Sequence, residues 1–189
     1  MAKTTPEFIT KVQLMDEQTV QRALMRISYE IIEKNADLQN LVLAGICTRG
    51  VPLAEIIRKN IARHTRITIP IISLDIQYYR DDLEKIAEIP QVRHNEPETD
   101  IDDKSVILVD DVLFTGRTVR AAIDALFDMG RPSRVQLAIL VDRGHRELPF
   151  RADYVGKNVP TSLNEVVQVN IGSVDGKTNV ELLEKKEND

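Results

Sequence analysis

Asp110 and Asp111 stand together at the end of an apolar run and just before a glycine turn, in the segment VILVDDVLFTGRT (106–118). If the run is a buried strand, the carboxylates leave it at its carboxyl end, where open α/β sheets bind their ligands. The turn that follows, Phe114-Thr115-Gly116-Arg117-Thr118, offers backbone N–H groups and two hydroxyls at the start of a helix. Such donors, with the positive end of the helix dipole, make an anion site suited to a phosphate monoester. Paired acids beside it serve no purpose for phosphate alone. They fit a ligand with hydroxyls or Mg2+ next to its phosphate, as in a ribose phosphate. The competing reading is a helix cap on a solvated strand edge.

Other phosphate motifs fit less well. Gly45 and Gly50 have P-loop spacing, but Val51-Pro52 follows where Lys-Ser/Thr is required, and no G-x-G-x-x-G occurs.

The elements that must position these residues are legible in outline. Asp16–Asn35 reads as a helix, with Asp16 as N-cap and Val20, Ala23, Leu24, Ile27 and Ile31 as one apolar stripe. Leu41–Ile46 is a continuous apolar run expected of a strand covered on both faces. The turn Cys47-Thr48-Arg49-Gly50 follows, then a helix from about Pro52 to Arg63. Ile67–Ile76 is a second strand, and 77–104 a long polar connection of the kind that serves as a lid. Ser105–Asp110 is a third strand, Arg117–Met129 a helix, Arg134–Val141 a fourth strand and Asp153–Val155 a short fifth. Val166–Ile171 and Asn179–Leu183 form a hairpin across Asp175-Gly176.

Strand and helix alternate through the middle, so the expected fold class is α/β, a doubly wound parallel sheet with a small subdomain from the two chain ends. The whole chain, 1–189, is expected to be a single domain, with a core of about 36–155 and a hood from the N-terminal segment and about 156–183.

Bulk properties set limits. A chain of 189 residues supports one well-buried core. A net charge of −5 disfavours a protein devoted to sequence-independent nucleic-acid binding, so any RNA contact must use a local basic patch. Cys47 is the only cysteine, and His64, His94 and His145 lack zinc-ligand spacing. The start, MAKTTPEFITKVQ, lacks the apolar core of a secretory signal and no apolar run reaches bilayer length, so a cytoplasmic protein with no membrane partner is expected.

The segment 106–118 resembles the signature by which type I phosphoribosyltransferases bind 5-phosphoribosyl-1-pyrophosphate (PRPP): four apolar residues, two acids, then T-G-x-T. The resemblance implies that Asp110 and Asp111 hold the ribose hydroxyls and the Mg2+ that arrives with PRPP. It also implies that Thr115, Gly116, Arg117 and Thr118 hold the 5′-phosphate of PRPP or UMP, beside Val112, Leu113 and Phe114. PRPP synthetase-like proteins share the signature but are considerably longer. GICTRGVPLA, YYRDDL, VDDVLFTGRTVRAAIDAL and GRPSRVQLAILVDRGHRELPFRADYVGKNVPTS are together similar to a narrower group. Its members are bacterial regulators of pyrimidine-biosynthesis operons that are also uracil phosphoribosyltransferases. This likeness runs from about Leu14 to Ile171.

What the group's chemistry implies is specific. Uracil N1 attacks C1′ of PRPP, pyrophosphate leaves, and UMP forms. Thr48, Arg49 and Gly50 match the pyrophosphate loop, and Arg80 belongs to a flexible loop that closes over PRPP. Tyr154 is expected to stack on the base, Val155 to read its edge, and Arg143 (ahead of Asp142) to meet a uracil carbonyl or the pyrophosphate; a buried strand tyrosine is the competing reading of Tyr154. Purine-using relatives carry a third acid three residues after the pair. Here that residue is Phe114, which fits a pyrimidine substrate.

The group also binds a hairpin in leader mRNA, more tightly with UMP. Arg22, Arg26, Lys34, Arg151 and Lys157 are the expected RNA-facing residues. Met25, Tyr29 and Lys34 replace a threonine, a histidine and an arginine of the group's usual pattern, which points to weakened RNA binding. The row Met25, Tyr29 and Ile32 suits a homo-oligomer interface. Two alternatives stand beside the bifunctional reading: a uracil phosphoribosyltransferase without RNA binding, and a nucleotide-sensing regulator without useful turnover.

Overall fold

The computed structural model describes residues 8–76 and 99–186. The central sheet has five parallel strands in the order β3-β2-β4-β5-β6. They are β2 (Leu41–Ile46), β3 (Ile71–Leu74), β4 (Ser105–Leu113), β5 (Arg134–Asp142) and β6 (Tyr154–Asn158). Three helices cover the sheet: α1 (Glu17–Lys34), α2 (Gly50–Thr65) and α3 (Arg117–Met129). Asp16 caps α1, accepting the Thr19 N–H at 2.8 Å.

Strand alternation decides which helix covers which face. Leu41 and Leu43 of β2, Ile107 and Val109 of β4, and Ala138 and Leu140 of β5 share one core with the buried stripes of α1 and α2. Their neighbours Val42, Ala44, Ile46, Val106, Leu108, Leu137 and Ile139 pack with Val119, Ala122 and Leu126 of α3. Both faces are dry, which is why these strands read as unbroken apolar runs.

The second sheet is antiparallel, in the order β1-β8-β7, from β1 (Phe8–Met15), β7 (Glu165–Asn170) and β8 (Asn179–Lys185). A four-residue helix, α4 (Gly172–Asp175), and Gly176 at φ 74° connect β7 to β8. Met15, Val167, Val169, Val180 and Leu182 join the core beneath α1 and α2, so the hood and the central sheet share one apolar cluster.

Several boundaries differ from the sequence reading. β3 covers only Ile71–Leu74, paired with Leu43–Ile46; Pro70 just before it has no N–H to give the ladder. β4 runs on through Asp110 and Asp111 to Leu113, pairing Val112 with Val141 and Leu113 with Asp142. β6 is Tyr154–Asn158, longer and later than the expected Asp153–Val155. β1 and α4 were not anticipated; β1 exposes Phe8, Ile9 and Val12, so its segment lacks one-sided alternation.

Candidate active site

Sheet order puts the functional crevice between β2 and β4. From β2 the chain moves outward through α2 to β3; from β4 it moves the other way through α3 to β5 and β6. Neighbouring strands with diverging connections form a switch point, and ligands bind outside their carboxyl ends. Gly45 pairs with Val109, so the turn after β2 and the acids of β4 lie next to each other.

On the β2 side, Cys47-Thr48-Arg49 leads into Gly50, the first residue of α2, and the Cys47–Thr48 peptide is cis. A Cβ on Gly50 would lie 2.2 Å from the Val109 carbonyl oxygen. Only glycine lets α2 begin this close to β4, which draws Arg49 to the crevice. The Arg49 guanidinium donates to Asp175 of α4 through Nε (3.0 Å) and Nη2 (2.8 Å).

On the β4 side, Asp110 is buried and accepts the Asp111 N–H at 2.9 Å; Asp111 accepts the Val112 N–H at 2.7 Å. Burial raises the pKa of Asp111 above its ordinary value, against the opposing influence of the Val112 N–H and the Arg49 charge. Arg49 and Asp111 feel each other across the crevice.

The loop after β4 forms a cleft of about 230 Å³ lined by Val112, Leu113, Phe114, Thr115, Gly116, Arg117, Thr118 and Val119. Gly116 caps α3 at φ 93°, a conformation that disfavours side chains. The turn thus places the first amides of α3, which lack intrahelical acceptors, at the cleft.

A strap from Gly144 to Phe150 holds this loop from behind. Arg146 Nη1 donates to the carbonyl oxygens of Phe114 (2.7 Å), Gly144 (3.0 Å) and Leu113 (3.3 Å); its Nε reaches Phe150 O at 3.1 Å, and Nη2 pairs with Asp142. The Glu147 and Leu148 amides both donate to Thr115 O at 3.0 Å. Glu147 also takes Arg117 Nη2 at 2.8 Å. Sequence reasoning missed these supports. Arg146 lies in the run LVDRGHRELPF, and its adjacent charges were the available signal; Asp175 was read only as half of a turn.

One expected base contact, Tyr154, is corrected, and two others, Val155 and Arg143, make bonds within the chain. Tyr154 is fully buried, and its hydroxyl accepts from Asn35 Nδ2 and Gln136 Nε2, each at 2.9 Å. It is a core residue of β6, not a stacking platform, because its alternation places it under α1. The carbonyls of Val155 and Gly156 accept Arg26 Nη2 at 2.8 and 2.7 Å, so the strand edge there is already bonded. Arg143, 6% exposed, donates to Thr161 Oγ1 (3.1 Å), Ser162 O (3.1 Å) and Glu165 O (2.7 Å), and stacks 4.1 Å from the Phe114 ring centroid. It anchors the loop before β7 and the Phe114 ring rather than facing open space. Arg80 lies outside the described residues.

α1 packs beside β6, which brings Arg26 and Lys34 against residues 153–156. Arg22, Arg26, Lys34, Arg151 and Lys157 are all exposed. Three of them also act as ties: Arg26 to β6, Lys34 Nζ to Asp153 O at 3.0 Å, and Lys157 Nζ to Leu14 O at 3.0 Å. Arg22 donates to Thr19 Oγ1 at 2.9 Å. In the proposed interface row, Tyr29 meets His64 of α2 edge-on at 4.5 Å, and Ile32 packs on the core. That row is therefore partly used within the chain. Among the described residues no helix is long and apolar enough to cross a membrane.

The chain is similar to known proteins over most of its length. The phosphoribosyl transferase domain family matches residues 12–171. The "Bifunctional protein PyrR" of Clostridioides difficile (strain 630) is 54% identical over 176 residues, 93% of this chain and 99% of that protein. The protein of the same description from Thermus aquaticus is 56% identical over 176 residues, covering 93% and 97%. Among solved structures, a Trypanosoma cruzi hypoxanthine phosphoribosyltransferase superposes with a TM-score of 0.70 at 17% identity, covering 95% of this chain and 94% of that one. A Bacillus anthracis hypoxanthine-guanine phosphoribosyltransferase gives 0.64 at 18%, covering 94% and 99%. At such identities these two establish the fold alone.

Proposed function

The chain belongs to the phosphoribosyltransferase family and, within it, to the PyrR proteins, and from that membership we infer two activities. It transfers the phosphoribosyl group of PRPP to uracil, and it regulates a pyrimidine-biosynthesis operon by binding leader mRNA in a UMP-dependent way. The observation that supports this reading most directly is the crevice itself: a bonded pair of acids, a strap-held glycine turn and an arginine converge at the switch point.

In the proposed reaction, uracil N1 bonds to C1′ as the C1′–O bond breaks, and pyrophosphate leaves with the electron pair. Positive charge grows on the ribose and negative charge on the leaving group. The chain's work is positioning and electrostatic stabilisation. Asp110 and Asp111 hold the ribose hydroxyls, the 115–118 turn holds the 5′-phosphate, and Thr48, Arg49 and Gly50 face the pyrophosphate. Phe114, packed on Arg143, supplies a neutral surface where purine users carry an acid, so the N1 proton of uracil passes to solvent water or to an oxygen of the departing pyrophosphate.

Two adjacent carboxylates suit an ion that keeps water and substrate oxygens as its other ligands. Asp110 and Asp111 would hold a Mg2+ that arrives with PRPP, and the ion would supply charge neutralisation for the pyrophosphate.

Incubation with PRPP, Mg2+ and labelled uracil is expected to yield labelled UMP; ligand binding without product would leave a sensor only. A gel shift with a pyrimidine leader hairpin is expected to strengthen with UMP. The ties made by Arg26, Lys34 and Lys157 favour one second reading, a uracil phosphoribosyltransferase without RNA binding, and absence of a shift at micromolar protein would select it.

A further inference from the structure

The hood reaches the crevice at one bidentate pair. Asp175, in α4, engages Arg49 across 126 residues of sequence, taking the guanidinium by its Nε–Nη2 edge. The carboxylate is itself held: Asp175 Oδ2 accepts the Ile171 N–H at 2.8 Å, and the Asp175 N–H donates to Ile171 O at 2.7 Å. Arg49 is anchored from the other side, because Gly50 is pressed against the Val109 carbonyl. Both partners thus stand on fixed backbone.

A guanidinium bonded along one edge has its plane set, and its other edge is aimed. The Arg49 charge also acts on Asp111 across the crevice. An arginine without such a partner surrenders rotamer freedom when a ligand arrives; one already held does not, and binding is correspondingly tighter.

We propose that Asp175 is a positioning residue for pyrophosphate binding, acting through Arg49 and coupling the hood to the leaving-group loop. The proposal rests on the reading of Arg49 as a pyrophosphate ligand. It gives the hood a consequence for binding of the leaving group.

The test is a double-mutant cycle in the full chain with Arg49→Ala, Asp175→Asn, Asp175→Glu and Arg49→Ala/Asp175→Asn. The Michaelis constant for PRPP, inhibition by free pyrophosphate, kcat and UMP affinity are measured, with thermal midpoints as the check on folding. Asp175→Asn keeps an oxygen for the Ile171 N–H. It is expected to weaken PRPP and pyrophosphate about tenfold, with kcat and UMP affinity changed far less. Asp175→Glu should recover part of the loss, and Asp175→Asn should add nothing in the Arg49→Ala background. Unchanged or tighter pyrophosphate binding in Asp175→Asn, or an equal loss with Arg49 already removed, overturns the proposal. If Arg49→Ala alone leaves PRPP and pyrophosphate untouched, the assignment of Arg49 falls, and this inference with it.

Discussion

Arg146 donates through Nη1 to the carbonyl oxygen of Phe114 at 2.7 Å, joining the strap after β5 to the loop after β4. The same guanidinium bonds Leu113, Gly144 and Phe150 and pairs with Asp142. With the carbonyls drawn backward, the loop's amides are turned toward the cleft. A phosphate site built from backbone needs such support, because a loop has no packed side-chain layer to hold its peptide planes.

Arg146→Gln removes most of these donors and takes the ion-pair partner from Asp142, which keeps only the Gly144 N–H on its other oxygen. The expected cost is about 1–3 kcal/mol of stability, measured by urea unfolding. UMP affinity, by calorimetry, should fall about tenfold because the phosphate turn loses its fixed shape. A variant with wild-type UMP affinity would show that the strap is dispensable.

Asp111→Asn separates stability from function. The raised pKa means that the folded protein holds this proton more tightly than the unfolded chain. Stability from this group is present at low pH and lost as pH rises through the ordinary aspartate range to the folded value. Asparagine removes the desolvation cost of this partly buried carboxylate, while an oxygen remains for the Val112 N–H. Asp111→Asn should therefore unfold at a higher temperature at pH 7, with the difference vanishing in acid, while turnover falls about a hundredfold. A thermal midpoint that does not rise would contradict the assigned burial cost.

Tyr154→Phe tests the corrected role of that residue. It removes a hydroxyl that serves two buried amides, from Asn35 and Gln136. The expected loss is about 1–3 kcal/mol in equilibrium unfolding, from two buried donors left unpaired. The Michaelis constant for uracil should move less than twofold.

Gly50→Ala should be among the most damaging small substitutions. Its Cβ would meet a backbone oxygen at 2.2 Å, and backbone cannot rotate aside as a side chain can. A loss of roughly 2 kcal/mol or more is expected, with uracil turnover reduced because Arg49 is displaced. Thermal unfolding and the labelled-uracil assay check the two effects.

Much of this was legible in the residues themselves. α1 with its Asp16 cap, β2 at Leu41–Ile46 and α3 at Arg117–Met129 follow from capping and apolar runs, which are local properties. The Asp110–Thr118 segment was identifiable for the same reason: strand, acids, turn and helix are contiguous, and their chemistry depends little on distant parts of the chain. β1 was hidden because an edge strand of a small sheet alternates against nothing in its own sequence.

Only the tertiary structure decided what the remaining polar residues do. Tyr154 and Arg143 look like ligand contacts in a list of residue types; burial against α1 and the 161–165 loop turns both inward. Arg26, Lys34 and Lys157 each bond a carbonyl up to 143 residues away. Asp175 finds Arg49 only when the hood closes on the sheet. Sequence determines what bonds a side chain is capable of making. Which bonds form depends on what folding brings within 3 Å, and that pairing is nonlocal.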